Sequence, residues 1–169
     1  MRNFVRQDAY DLVLNLLQPE FVMSVGDLIE GYSQDEQEVD QQWGEIQSFV
    51  SRLQMPFFYV PGNHDISNPM QARKWEQRFG RSYYHFVYRN VLFLCLNTEY
   101  PLHSHINDEQ VAYVKEALEE NKNVRWTLVF MHKPLWRIEE LGWTKVDALL
   151  QGRPYTVIAG HIHNYLKFE

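Results

Sequence analysis

Short hydrophobic runs alternate along the chain with segments whose apolar residues recur every three or four positions. Runs of this kind predict strands, and the spaced residues predict helices, because a helix repeats every 3.6 residues. Predicted strands cover residues 21–25 and 57–60, then two strands in the segment 83–97 that are joined around Arg89-Asn90, the second being 91–96. The last two predicted strands cover residues 128–131 and 155–159. Predicted helices cover residues 9–17, 35–53, a segment between Pro69 and Gly80, 107–120 and 144–150.

Several predicted strands are apolar throughout instead of alternating between apolar and polar residues. This is typical of strands whose sheet is covered on both faces. The alternation of strands and helices also implies parallel crossovers. The pattern therefore predicts a layered α/β sandwich of mostly parallel strands with helices outside, forming a single domain over residues 1–169. Asn107 with Gln110 three residues later predicts a capping box at the start of the fourth of these helices.

Composition removes several classes of function. The net charge is −6 and the chain has no basic run, so an extended nucleic-acid surface is not expected. The longest apolar run, Val91 to Leu96, is too short to cross a membrane, and no secretory leader is visible, so we expect a cytoplasmic protein. The single cysteine, Cys95, rules out an internal disulfide and a cysteine-based zinc site.

Polar side chains follow four predicted strands at the point where each strand ends. Asp27 follows the first, the segment 63–65 (Asn-His-Asp) follows the second, His132 follows the fifth, and His161 and His163 follow the last. The carboxyl ends of parallel strands meet at one edge of a sheet, where ligands bind. Imidazole, carboxylate and amide ligands suit Zn²⁺, Mn²⁺ or iron, and one carboxylate with several histidines is the composition of a two-metal hydrolytic centre.

These motifs resemble those of the calcineurin-like metallophosphoesterases. The resemblance rests on Gly26-Asp27, Gly62-Asn63-His64-Asp65, His132 and Gly160-His161-Ile162-His163, in the order of the family and each directly after a strand. It covers residues 8 to 163. It implies hydrolysis of a phosphate monoester or diester by a metal-bound hydroxide, with two divalent metal ions and a small phosphorylated substrate.

The resemblance also implies a role for each matching residue. Asp27 would bridge the two ions, Asn63, His132 and His161 would complete the second metal site, and His163 would bind the first.

The same resemblance gives catalytic roles to the two residues that follow Asn63. His64 would contact the phosphate and assist the leaving oxygen, and Asp65 would orient the His64 ring.

One family motif is missing. The family opens with Asp-x-His on its first strand, and no such tripeptide occurs here; Asp8-Ala9-Tyr10 lies in a predicted helix instead. The family also usually continues with further strands where this chain stops. We therefore expect a domain that is incomplete at both ends, with the second metal site better preserved than the first.

Two other classes of function stay open at this point. A non-catalytic scaffold or binding module is favoured by the incomplete first metal site. A nuclease acting on a short substrate is a third interpretation, against which the negative charge counts only for long polynucleotides. His103 and His105 form a second His-x-His pair, for which a solvated loop is the simpler interpretation, and Glu99 and Tyr100 are candidates for lining the crevice. The oligomeric state is left open.

Overall fold

A computed structural model describes residues 12–99, 104–138 and 141–167 of the chain. Residues 12–17 are helical, and the predicted start of this helix at residue 9 lies outside the described residues. The elements then follow in the order β1 (Val22–Met23), α1 (Glu36–Val50), β2 (Phe57–Phe58), α2 (Pro69–Phe79), β3 (Tyr84–Tyr88), β4 (Val91–Cys95), α3 (Asp108–Glu120), β5 (Trp126–Met131), a 3₁₀ turn (Leu135–Arg137), α4 (Trp143–Leu150) and β6 (Tyr155–Ala159).

The strands form two sheets. In the smaller sheet, β1 and β2 run parallel, with Val22 opposite Phe57. The larger sheet has the order β3-β4-β5-β6. Its first two strands form an antiparallel hairpin that turns at Arg89 and Asn90, as predicted, and the other neighbours are parallel. The expected mostly parallel α/β fold is confirmed.

The two strands of the small sheet are shorter than predicted. The backbone of Ser24 still donates to Phe58 O (2.9 Å), but the Ser24 hydroxyl then accepts from Val60 N (2.9 Å) in place of a backbone carbonyl. A side-chain oxygen thus ends the ladder early. Beyond this point, both backbone segments can turn into the loops that follow β1 and β2.

Three hydrophobic clusters form the core. Between the two sheets, Phe93 packs on Phe21 of the small-sheet side (ring centroids 5.3 Å apart) and on Phe86 (4.7 Å). This cluster also contains Cys95, whose burial raises the pKa of the thiol to about 12, so the residue is a core thiol. The outer face of the large sheet packs on α3 and α4, and α1 and α2 meet through Trp43 and Trp75.

Gln110 departs from the predicted capping box. Asn107 caps α3 as expected, since its side-chain oxygen accepts from Gln110 N (3.0 Å). The Gln110 side chain, however, accepts from Asn97 N (3.0 Å) and donates to Asn97 O (2.9 Å). It therefore links the start of α3 to the chain leaving β4 and does not return to Asn107.

In the part of the chain that the structure describes, no helix has the length and apolar character needed to cross a membrane.

Candidate metal centre

Four of the predicted site residues meet beyond the carboxyl ends of strands from both sheets. Asp27 and Asn63 follow β1 and β2 of the small sheet, and His132 and His161 follow β5 and β6 of the large sheet. The chain bends sharply at these points: φ is +57° at Asp27 and +68° at His161. Gly62 makes the close approach possible, because a Cβ at this position would collide with Asp27 Oδ1.

His132 lies at the centre of the group. The residue is 1% exposed, and its Nδ1 lies 2.6 Å from Val25 O. Because a carbonyl only accepts, Nδ1 carries the proton and Nε2 keeps its lone pair when the ring is neutral. Three polar atoms surround that nitrogen: the oxygens Asn63 Oδ1 at 3.0 Å and Asp27 Oδ2 at 3.1 Å, and the ring nitrogen His161 Nδ1 at 3.1 Å.

This set of donor atoms fits a divalent cation. Two oxygens and two imidazole nitrogens converge, and the possible ligand atoms of Asp27, His132 and His161 all lie within 4.8 Å of one another. Lone pairs that face each other at such distances repel unless a proton or a cation lies between them. Mixed nitrogen and oxygen ligands without thiolate are those of Zn²⁺, Mn²⁺ and iron sites.

The electrostatics around His161 favour its neutral form, which is the form that binds a metal. Partial burial lowers the pKa of His161, and the neighbouring His132 and Lys133 lower it further. Lys133 itself is held by Glu99 (Nζ–Oε2 2.7 Å) and by Ser104 (Nζ–Oγ 2.8 Å). Glu99 is 5% exposed, so a buried ion pair lies next to the histidines.

Asp65 organises the loops that carry the ligands. It is fully buried, and its carboxylate accepts from four backbone amides: Asp27 N, Leu28 N and Gly62 N, each at 2.8 Å, and Ile29 N at 3.2 Å. Burial raises the pKa of Asp65 to about 7, and these hydrogen bonds act in the opposite direction because they stabilise the ionised form.

The expectation that Asp65 orients the His64 ring is wrong, because the four amides occupy its carboxylate. The ring is held instead by a backbone carbonyl, with His64 Nδ1 2.6 Å from Glu30 O. The other ring nitrogen, Nε2, lies 4.0 Å from Asp27 Oδ2. The backbone N–H of His64 also donates to Asp27 Oδ1 (3.0 Å), so the two oxygens of Asp27 serve different partners.

Tyr32 belongs to this site and was missed by the sequence analysis. Its hydroxyl accepts from Asn63 Nδ2 (2.8 Å), and its ring meets the His64 ring edge to face, with centroids 4.8 Å apart. The only signal in the sequence is the nearby Gly31, which marks a turn but does not say where the next side chain points.

The sequence matches the calcineurin-like phosphoesterase family over residues 5–165. The chain belongs to this family. The resemblance on which the sequence analysis relied is thereby confirmed, and the protein is a metallophosphoesterase by family. Membership implies divalent metal ions as cofactors, which agrees with the donor set around His132.

Solved structures with the same fold include two phosphatases. A dimetal phosphatase from Danio rerio superposes with a TM-score of 0.71 at 15% identity, covering 93% of this chain and 70% of that protein. A purple acid phosphatase from yellow lupin (Lupinus luteus) seeds superposes with a TM-score of 0.68 at 18% identity, covering 94% of this chain and 33% of that protein. No curated protein sequence matches the chain.

The remaining sequence-predicted residues of this phosphoesterase chain lie outside the cluster. His163 has an exposed side chain and a φ of +55°, and it does not join the group of ligand atoms within 4.8 Å. His105 forms a backbone bridge with Glu99, and His103 lies outside the described residues. The tripeptide at residues 8–10, whose sequence is the most similar to the missing family motif, also lies outside the described residues.

Proposed function

We propose that the chain hydrolyses a phosphate monoester or diester, using a divalent cation held by Asp27, Asn63, His132 and His161. The observation that carries the proposal is the geometry around His132 Nε2, which faces two oxygen acceptors and the ring nitrogen His161 Nδ1 at 3.0–3.1 Å. Such a convergence of oxygen and imidazole ligand atoms around the buried His132 is unfavourable on its own and favourable around a cation.

His64 is the proposed proton donor to the leaving oxygen. A bound divalent cation would neutralise charge on the phosphoryl oxygens and supply an activated water. With Nδ1 directed at Glu30 O, the Nε2 of His64 lies toward Asp27, and the leaving oxygen of the substrate is proposed to lie beside it. Loss of the leaving alkoxide is assisted when a proton on Nε2 moves to its oxygen. Asp65, bound to the backbone of both loops, is proposed to act by position only.

We propose a small phosphorylated compound as substrate. The cavity of about 570 Å³ that Glu99 and Ile66 line contains none of the four proposed ligands and not His64, so it does not bear on the choice of substrate. The net charge of −6 does not favour a long polyanion such as a nucleic acid.

Removal of a central ligand tests the proposal. We expect His132→Ala to raise the Mn²⁺ dissociation constant at least about tenfold, because it removes the nitrogen that all other ligand atoms face. Calorimetric titration with Mn²⁺ measures this, and turnover of p-nitrophenyl phosphate and bis-p-nitrophenyl phosphate distinguishes monoester from diester activity. The matched control is His85→Gln, since His85 lies in β3 and contacts Tyr113 OH (2.7 Å). A parent chain that binds metal but hydrolyses neither ester would contradict the proposed reaction.

Replacing His64 separates binding from chemistry. His64→Ala is expected to slow turnover by about 10²-fold, the usual size of a general-acid effect, while leaving the bound Mn²⁺ content unchanged. Steady-state rates and elemental analysis of the same preparations give the two readouts. Equal rates for variant and parent would remove His64 from the mechanism.

A non-catalytic binding module is the second candidate, and one observation favours it. Among the described histidine, cysteine and acidic residues, only one cluster has ligand spacing, and His163 stands apart from it. Turnover of the two esters by the Mn²⁺-loaded chain distinguishes the two candidates. One tightly bound ion without hydrolysis supports the binding module, whereas hydrolysis with either one or two ions supports the enzyme.

A further inference from the structure

The segment 30–32 bends over the dipeptide Asn63-His64. Gly31 and Tyr32 both have left-handed backbone, with φ of +61° and +55°. Gly31 lies against the backbone carbonyl of His64 so closely that a Cβ there would overlap it, and its N–H donates to Gln42 Oε1 (2.9 Å) on α1. The turn is therefore fixed between a helix and the loop that follows β2.

This turn brings two different groups to the two neighbouring site residues. The Glu30 carbonyl lies 2.6 Å from His64 Nδ1, and the Tyr32 hydroxyl lies 2.8 Å from Asn63 Nδ2. The Tyr32 ring also packs edge to face on the His64 ring. Tyr32 thus contacts both the proposed ligand Asn63 and the proposed proton donor His64, although it is itself 62% exposed.

We infer that Tyr32 is a positioning residue with two separable functions, one for each part of its side chain. Its hydroxyl holds the Asn63 amide so that Oδ1, and not Nδ2, faces the cation position beside His132. Its ring limits the rotation of His64 and keeps Nε2 directed at the substrate. The inference rests on the proposed function, because it concerns the same site.

The chemistry of the amide explains why such a partner is needed. The oxygen and nitrogen of an Asn side chain have nearly the same size, but only the oxygen binds a cation. A half-turn of the amide would present its N–H groups to the cation position. A partner that accepts from Nδ2 on the far side opposes that rotation, in the way that outer hydrogen bonds orient metal ligands elsewhere.

Two substitutions at this position separate the functions. Tyr32→Phe removes the hydroxyl and keeps the ring; we expect the Mn²⁺ dissociation constant to rise about tenfold, with kcat at saturating Mn²⁺ within about twofold of the parent. Tyr32→Leu removes both; we expect the same loss of Mn²⁺ affinity and, in addition, a kcat about tenfold lower at saturating Mn²⁺. The side chain is mostly exposed, so both variants are expected to fold, which circular dichroism checks.

Tyr88→Phe is the matched control. Tyr88 donates to Glu20 Oε2 (2.6 Å) and lies opposite Val91, at the end of the large sheet away from the ligands, so neither Mn²⁺ affinity nor kcat should change. A Tyr32→Phe variant with the parent's Mn²⁺ affinity would overturn the inference for the hydroxyl, and a Tyr32→Leu variant with the parent's kcat would overturn it for the ring.

The Mn²⁺ titration also distinguishes this inference from the proposed function. If Tyr32→Phe weakens Mn²⁺ binding but the parent hydrolyses no ester, the role of the hydroxyl is supported and the proposed reaction fails. If the parent hydrolyses esters and Tyr32→Phe binds Mn²⁺ normally, the reaction stands and the role of the hydroxyl fails. A parent that binds no Mn²⁺ overturns both.

Discussion

At the scale of single residues, Asp65 shows how one carboxylate fixes two loops. Replacing it by asparagine removes the charge and turns an N–H₂ group toward backbone donors. We expect Asp65→Asn to lower the free energy of unfolding by about 3 kcal/mol, because buried amides lose a charged acceptor. The same variant should bind Mn²⁺ more weakly, since the loop carrying Asp27 loosens. Urea unfolding and calorimetric titration measure the two effects.

Asp147→Asn provides the comparison for Asp65. Its carboxylate accepts from the Tyr155 hydroxyl (2.7 Å) near the start of β6, at the end of the large sheet away from the ligands. We expect a change of less than about 1 kcal/mol, as for other single hydrogen bonds near the surface. If Asp65→Asn were no more destabilising than Asp147→Asn, the four amide contacts would contribute little to the fold.

The difference between residues that could be predicted and those that could not has a physical basis. Asp27, Asn63, His132 and His161 could be predicted because each follows a hydrophobic strand, and strand ends meet by the geometry of a parallel sheet. The partner of His64 could not, because it is a backbone carbonyl, which every residue has.

Tyr32 escaped prediction for a related reason. Two successive residues with positive φ decide where its side chain points, and only the glycine of the pair signals this in the sequence.

At the scale of elements, Gln110 joins the start of α3 to the chain leaving β4. We expect Gln110→Ala to lower the free energy of unfolding by about 2–4 kcal/mol, because the N–H and C=O of Asn97 are left buried without these partners. Urea unfolding measures this against Gln41→Ala. The side chain of Gln41 donates to Glu45 Oε1 on the exposed face of α1 (3.3 Å), and its loss should cost less than about 0.5 kcal/mol. Similar values for both variants would contradict the structural role of Gln110.

The elements themselves were largely predictable, and their ends were less so. Among the described residues, spaced apolar residues predicted every α-helix and apolar runs predicted every strand, and β6 has the predicted bounds. For the two strands of the small sheet, the predicted lengths exceed the observed ones. Hydrophobicity indicates which residues are buried, whereas the Ser24 side chain determines where backbone pairing stops. Gln110 was assigned to a local cap, since the pattern carries no information on the distant Asn97.

At the scale of the whole molecule, the proposed metal site joins the two sheets. Two ligands come from each sheet, and between the sheets the contact is hydrophobic. A cation that binds only the folded chain must stabilise the entire fold. We expect Mn²⁺ at about 100 times its dissociation constant to raise Tm by about 5–10 °C, and excess chelator to reverse the change. Differential scanning calorimetry measures both.

The histidine variants used above serve as controls for this effect. His85→Gln should keep the increase in Tm, because His85 takes no part in the cluster. His132→Ala should lose most of it at the same Mn²⁺ concentration. An increase of the same size in His132→Ala would place the stabilising ion elsewhere on the protein.

The left-handed backbone at Asp27, His161 and His163 has a consequence for how this sequence can change over generations. Side chains with a Cβ are disfavoured in that conformation by roughly 1 kcal/mol or more, whereas glycine adopts it freely. Selection for thermal robustness alone would therefore drive these three codons toward glycine. At Asp27 and His161, that gain in stability would come with the loss of a proposed metal ligand.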